Sequence, residues 1–365
     1  MKIFNKSEWK KVKLGDICEV ITGNTPSKKI KEYWDKDEVP FITPPELKYE
    51  GINYITPSIF ISKIGAKQGR IISKNSICVC CIGSLGKLGI LKENAITNQQ
   101  INSLILKNEN VDLLYLYFYL KTIKNNLESI ATSTTVKIIN KSSFEKIDIN
   151  LPSLEIQKKI SKKLELLENN INFRKLQLNF LNELSKSLFT RMFGDIKTND
   201  KNWEINYWKD VLNIKNGKNQ KEVEDINGKY PIYGSGGIIG YSNAYICNEN
   251  TIIIGRKGNI NKPILVKEKF WNVDTAFGLE TKRDKISYYY LYFFCLFYNF
   301  EIHNKAVTIP SLIKSDLEKI SLPVPPIELQ NKFAKRVEKI EKLSFTSKKL
   351  RIFRNFKALY KKVSA

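Results

Sequence analysis

From Ser153 to Phe193 the chain has neither glycine nor proline, and apolar residues fall at Ile156, Ile160, Leu164, Leu167, Ile171, Leu178, Leu181, Leu184 and Leu188. Spacings of three, four and seven put these residues on one stripe of a long amphipathic helix. Pro152 and Ser153 suit its start and Gly194 its end. The same pattern returns after Pro325 and Pro326, at Ile327, Phe333, Val337, Ile340, Leu343, Leu350, Phe353 and Leu359. Each helix would be about 60 Å long at ~1.5 Å per residue. A stripe of that length needs cover, so the two are expected to pack on each other as an antiparallel coiled coil. Ahead of each helix lie short β-type runs closed by turn residues: Val39–Thr43, Arg70–Ile72 and Ser76–Ile82, then Tyr230–Tyr233 and Thr251–Ile254. Two aromatic runs, Leu114–Leu120 and Tyr288–Phe300, are too short for the ~20 residues of a membrane span. Each is expected to form a buried helix.

The pattern is written twice. Trp9, Asp16 and Gly23 return as Trp203, Asp210 and Gly217, each 194 residues later. The string from Glu145 through Pro152 to Gln157 returns from Glu318 through Pro325 to Gln330, 173 residues later. A period near half the chain means a duplicated domain, since solenoid repeats run to roughly 20–50 residues. The turn Ile82–Lys87 is matched to Ile254–Asn259, with Gly83 opposite Gly255, and Asn98 is placed opposite Asp274. The expected fold is α+β: two tandem α/β domains at 1–150 and 195–322, with long helices at 151–194 and 323–365 and approximate two-fold symmetry.

Composition then narrows the partner. Sixty Lys+Arg against 37 Asp+Glu leave a net charge of +23. Many lysines unbalanced by acids point to a polyanion, because clustered cations release counterions from a phosphate backbone. The amino terminus shows no signal peptide and the six cysteines no disulfide framework, so a cytoplasmic location is expected. Cys78, Cys80 and Cys81 read as apolar strand cysteines, not zinc ligands.

Catalytic patterns are thin. His303 is the one histidine, which leaves Ser-His-Asp and Cys-His schemes without support. The strings Thr43-Pro44-Pro45-Glu46 and Val324-Pro325-Pro326-Ile327 lack the amide and the aromatic of an amino-methyltransferase segment. The run from Gly234 to Gly240 misses G-x-G-x-x-G by one place. Asp274 with Glu280 and Lys282 resembles a nuclease centre superficially but has no counterpart in the first half. Neither a catalytic residue nor a metal site is expected. Glycine-rich turns with cations remain; their backbone N–H groups are expected to approach phosphate oxygens, with Lys87, Arg256 and Lys257 supplying charge.

These features together resemble the specificity (S) subunit of type I restriction–modification systems. The resemblance is carried by Trp9, Leu14-Gly15-Asp16, Thr22-Gly23, Thr25-Pro26-Ser27, Tyr33-Trp34, Gly83-Ser84, Gly86-Lys87, Thr97-Asn98-Gln99-Gln100 and Leu151-Pro152-Ser153-Leu154-Glu155-Ile156-Gln157. Tyr230–Gly237, Gly255–Gly258 and Val273–Gly278 look like second-half variants. The order of these strings, twice over with a long helix after each, covers essentially the whole chain. It implies a target recognition domain in each half, and it makes the long helices the family's central and C-terminal conserved spacer helices, on which two modification subunits dock. It implies a non-catalytic chain that reads a bipartite double-stranded DNA target. Adenine-N6 methylation from S-adenosylmethionine belongs to the modification subunits; ATP- and Mg-dependent cleavage belongs to a restriction subunit. On this view DNA contacts fall at Lys48, Ser84, Lys87, Gln99 and Gln100 in the first half and at Tyr233, Ser235, Arg256, Lys257 and Asn259 in the second. The alternatives are a single-chain methyltransferase or nuclease, or a non-catalytic nucleic-acid-binding scaffold.

Overall fold

The computed structural model describes residues 9–132, 136–304, 306 and 308–349. The chain forms two compact units that part at Lys175 and Leu176.

The first unit carries β1 (Lys10–Lys13), β2 (Cys18–Thr22), β3 (Val39–Ile42), β4 (Phe60–Ile61), β5 (Ile77–Cys80), β6 (Leu88–Ile90), β7 (Ile96–Thr97), β8 (Ile101–Leu106) and β9 (Asp148–Leu151). Strand β1 pairs antiparallel with β9; a four-stranded sheet runs β2-β8-β5-β6, and a three-stranded one β4-β3-β7, in which β3 and β7 are parallel. Strand β5 is buried on both faces and alternates between two cores. Ile77 and Val79 pack with the helix α1 (Leu113–Thr122), whose Tyr115 to Leu120 are buried, while Cys78 and Cys80 join Ile42, Leu47 and Ile101 on the other face. The run Arg70–Ile72 expected as a strand makes one bridge, Ile72 to Ala95. Arg70 instead sends its guanidinium to the Thr22 carbonyl, 2.6 Å away.

The long helix α2 spans Leu154–Phe193, 40 residues, where the apolar period placed it. Ser153 accepts the Gln157 N–H at 2.9 Å, and Gly194 closes the helix at φ +80°, the left-handed conformation that glycine adopts without a Cβ penalty. Gln157 has an unusual task. It is 1% exposed, its Oε1 accepts the Asp112 N–H at 2.8 Å, and its Nε2 donates to the carbonyls of Asn110 and Pro152 at 3.0 and 2.9 Å. One amide thus satisfies backbone groups at the start of α1 and just before α2, groups that neither helix satisfies internally.

The second unit repeats the plan with β10 (Glu204–Tyr207), β11 (Leu212–Asn216), β12 (Tyr230–Gly234), β13 (Gly237–Ser242), β14 (Thr251–Gly255), β15 (Ile264–Val266), β16 (Trp271–Asn272), β17 (Ala276–Thr281) and β18 (Ser321–Val324). The orders β10-β18, β11-β17-β14-β15 and β13-β12-β16 match the first unit strand for strand, down to the parallel pair β12/β16. Helix α3 (Tyr288–Phe297) is the aromatic helix, and α4 (Ile327–Lys349) the described part of the second long helix. Gln330 repeats Gln157: it accepts from Ser287 N–H at 2.9 Å and donates to Pro325 and Lys285 carbonyls at 2.7 and 3.3 Å.

Within this unit α4 runs antiparallel to the end of α2. Phe333 sits 5.2 Å from Phe193 and 5.6 Å from Phe189, between ring centroids, and Phe189 stacks on Tyr290 of α3 at 5.4 Å. Farther along α4, Val337 and Glu341 line a groove with Asn182 and Asn179, earlier residues of α2. The stripe positions Leu350, Phe353 and Leu359 lie outside the described residues.

All six cysteines are free thiols and buried. Burial pushes Cys18, Cys78, Cys81 and Cys247 up to about 12 and raises Cys80 and Cys295 as well. Since the thiolate is the reactive form, an aromatic disulfide reagent at neutral pH should release almost no chromophore from the native chain and six equivalents after denaturation. Rapid native reaction of two or more thiols would contradict this packing.

Candidate nucleic-acid interface

The two units superpose on one register. Ile77 pairs with Ile90 and Leu104, and Ile252 with Leu265 and Leu279. Positions from β5 to β8 therefore correspond to those from β14 to β17 at a separation of 175, as in 77 and 252. The turn glycines follow: Gly83 (φ +77°) donates to the Lys137 carbonyl and Gly258 (φ +80°) to the Pro310 carbonyl, both at 3.0 Å. Gly83 thus answers to Gly258. The expected match to Gly255 is three residues out, because Gly255 occupies the strand position of Cys80. Gln99, not Asn98, stands opposite Asp274.

In each unit the candidate site is the end of the central strand, β5 or β14, with its following turn and the corner before β8 or β17. Two glycines hold that corner. A Cβ on Gly23 would lie 2.2 Å from the Thr97 carbonyl oxygen, and one on Gly217 1.8 Å from that of Val273. These close approaches explain why both glycines kept the 194-residue offset.

In the second unit the structure gathers Ser235, Arg256 and Asn259. The hairpin turn of Ser235 and Gly236 joins β12 to β13 and lies against the 258–259 turn: the Ser235 hydroxyl is 3.9 Å from a Cβ built on Gly258, and Asn259 Nδ2 is 3.6 Å from one on Gly236. Arg256 is exposed, with its guanidinium 3.4 Å from the Asp274 carbonyl and 6.0 Å from the Phe277 ring centroid. Lys257 is exposed and its backbone bridges Ser311. Tyr233 sits apart from this turn, half-buried against Phe270, and burial raises its phenol above the ordinary value.

The first unit divides its candidates. Ser84, Lys87 and Lys48 lie around Tyr49, whereas Gln99 accepts from the Thr25 hydroxyl at 2.6 Å and Gln100 accepts from the Asn98 amide at 3.0 Å. Gln100 still touches the turn through its backbone, because its carbonyl takes the Cys81 N–H at 2.8 Å.

Backbone N–H groups were expected to face phosphates, and the glycine ones do not. Those of Gly83, Gly86 and Gly258 are all donated to carbonyls of the chain itself, at Lys137, Cys80 and Pro310. Charge near these turns is carried by side chains. Three that the sequence patterns passed over are Tyr49's neighbour Lys124, Arg70, and Lys262. Lys262 holds the position of Lys87, and a register read from strand pairing would have found it.

His303 stacks on Tyr298 and hydrogen-bonds its hydroxyl at 2.7 Å, a packing role. Among the described residues no group of His, Cys, Asp or Glu is placed to hold a metal ion, and no helix is long and apolar enough to cross a membrane.

Comparison with known proteins agrees with the duplicated plan. The model of the type I restriction modification DNA specificity domain matches residues 6–183 and again 200–352. The chain is 28% identical over 393 residues to the type I restriction enzyme MjaIX specificity subunit of Methanocaldococcus jannaschii, covering 96% of this chain and 91% of that one. It is 34% identical over 176 residues to the HindI specificity subunit of Haemophilus influenzae, covering 46% of this chain and 38% of the other. Among solved structures, the S subunit of a type I restriction–modification system from M. genitalium aligns over 100% of this chain and 98% of its own, with a TM-score of 0.69 at 18% identity. At that identity the likeness bears on the fold.

Proposed function

Since the chain belongs to the type I restriction modification DNA specificity family, we propose that its two units read the two halves of a bipartite double-stranded DNA target and direct adenine-N6 methylation, and restriction, by partner subunits. The chain is a DNA-recognition subunit and not itself an enzyme. The observation that carries the bipartite reading is the repeat: two units of the same strand order each place the turn after their central strand beside the same glycine-held corner, on a chain of net charge +23. A single-chain enzyme has no support from the family. The spacer regions at 151–194 and 323–365, whose described helices are α2 and α4, would serve two modification subunits as docking surfaces, and the units at 1–150 and 195–322 would act as target recognition domains; strands β9 and β18 run across the expected boundaries, to Leu151 and Val324. S-adenosylmethionine would then be bound by the modification subunits, and ATP and Mg by a restriction subunit.

Base reading is assigned to exposed turn side chains, Arg256 and Asn259 foremost in the second unit. An arginine can grip guanine O6 and N7 with both arms, a contact that discriminates by about 1–3 kcal/mol. The test maps methylated adenines in cells that carry the chain with its modification subunits. Arg256→Ala should relax one half-site and leave the other intact, while Lys257→Ala should weaken binding to all sequences and lower the salt slope by about one. If both variants keep the wild-type motif, affinity and salt slope, the turn is not the reading surface.

A further inference from the structure

The first unit holds two cations on one exposed ring. Lys124 Nζ lies 4.1 Å and Lys87 Nζ 5.7 Å from the centroid of Tyr49, which is 40% exposed. An aromatic face orients an ammonium without neutralising it, unlike a carboxylate. The nearest acid, Glu128, is shared: it stands 3.9 Å from Lys124 and 3.7 Å from Lys137. Burial raises the Tyr49 phenol above its ordinary value, so the ring stays neutral. Space above the turn is open, since a Cβ on Gly83 would meet nothing within 4 Å. Glu128 offsets only part of the charge of Lys87, Lys124 and Lys137, and the excess, held beside an open turn, suits a phosphodiester backbone.

The second unit is built differently at this place. Lys262 stands where Lys87 does, but Asn299 replaces Lys124 and is tied to Asn261 at 3.3 Å. Tyr49 lies in the long segment between β3 and β4, whereas β12 and β13 are joined by Ser235 and Gly236 alone. The ring has no counterpart there.

We infer that Tyr49, Lys87 and Lys124 form a DNA-phosphate clamp confined to the first unit, so that the salt-dependent, sequence-independent part of binding is carried unequally by the two units. This rests on the DNA-recognition reading above. The experiment measures binding of the full chain, assembled with its modification subunits, to a duplex carrying its methylated motif and to the same duplex scrambled, across about 50–200 mM salt. Lys87→Ala with Lys124→Ala should weaken both duplexes equally, roughly tenfold at about 0.1 M salt, and reduce the slope by about two. Lys262→Ala should reduce it by about one. Tyr49→Leu should weaken both duplexes about two- to fivefold with the slope retained, because the ring orients charge and carries none. Lys124→Arg in place of Lys124→Ala should recover one unit of slope, which a merely structural role would not. A wild-type complex that prefers its motif, with a double variant of unchanged slope, overturns the clamp and leaves the function standing. A loss confined to the motif duplex also overturns it, since phosphate contacts carry no sequence information. A wild-type complex that binds neither duplex overturns both readings.

Discussion

Gly217→Ala should destabilise the second unit by about 3 kcal/mol, with a loss of soluble protein. The added Cβ would lie 1.8 Å from the Val273 carbonyl oxygen, 2.4 Å from its carbon and 2.7 Å from the Asn272 oxygen. All three are backbone atoms of the corner between β16 and β17, and Gly217 N–H itself donates to the Ala276 carbonyl at 3.2 Å. Relief would require either that hydrogen bond or the β12/β16 pairing to break. The same change at Gly236 meets nothing nearer than the end of the Asn259 side chain at 3.6 Å, so Gly236→Ala should stay within about 0.5 kcal/mol. Urea titration of the full chain, followed by tryptophan fluorescence, separates the two; Trp208 and Trp271 report from this unit's interior. Equal midpoints for Gly217→Ala and wild type would mean that the corner yields. Because that corner sits beside the Arg256 turn, a partly folded Gly217→Ala should also lose the second half-site first.

Much of this was legible in the chain. Helix α2 declared itself through nine apolar positions and the absence of glycine and proline, and Gly194 closes it as expected, in left-handed geometry. The repeated Pro and Gln strings marked the helix starts, although nothing in the sequence says that Gln157 and Gln330 each bind three backbone groups. The turn was harder. Glycine spacing alone favoured Gly83 with Gly255, because both follow an apolar strand. Which glycine carries positive φ is set by strand register, and register is a cross-strand property invisible in one strand's sequence. That slip hid Lys262. Tyr49 escaped for another reason: its meaning comes from Lys87 and Lys124, 38 and 75 residues away in sequence, brought to one ring by the four-stranded sheet and by α1.

The largest single-residue electrostatic effect is expected at Lys121. Lys121→Met should cost about 3–5 kcal/mol, the range for breaking a buried ion pair by removing one partner. Its ammonium lies 3.0 Å from Glu168 on α2, with the two side chains 11% and 6% exposed. Burial pushes the Lys121 ammonium below its ordinary value, and the Glu168 carboxylate opposes that shift. Lys121 also donates to the Gly51 carbonyl at 2.8 Å, which Tyr117 reaches at a longer 3.2 Å. Methionine fills much of the volume but leaves Glu168 desolvated and without this partner. Lys175→Met breaks a pair with Glu50 at 3.2 Å that is 57% and 85% exposed, and should cost under about 1 kcal/mol. Exposure decides the difference, since the two distances are nearly equal. Lys121→Met combined with Glu168→Leu should recover most of the loss, because no charge then remains buried. The cycle is read from urea midpoints of the four proteins. If the double variant is as unstable as the single, the cost lies in lost packing or in the Gly51 contact, and the ion pair is not what secures the 48–53 segment to α2. If the pair does secure it, Lys121→Met should also weaken DNA binding at low salt, since the same segment carries Lys48 and Tyr49.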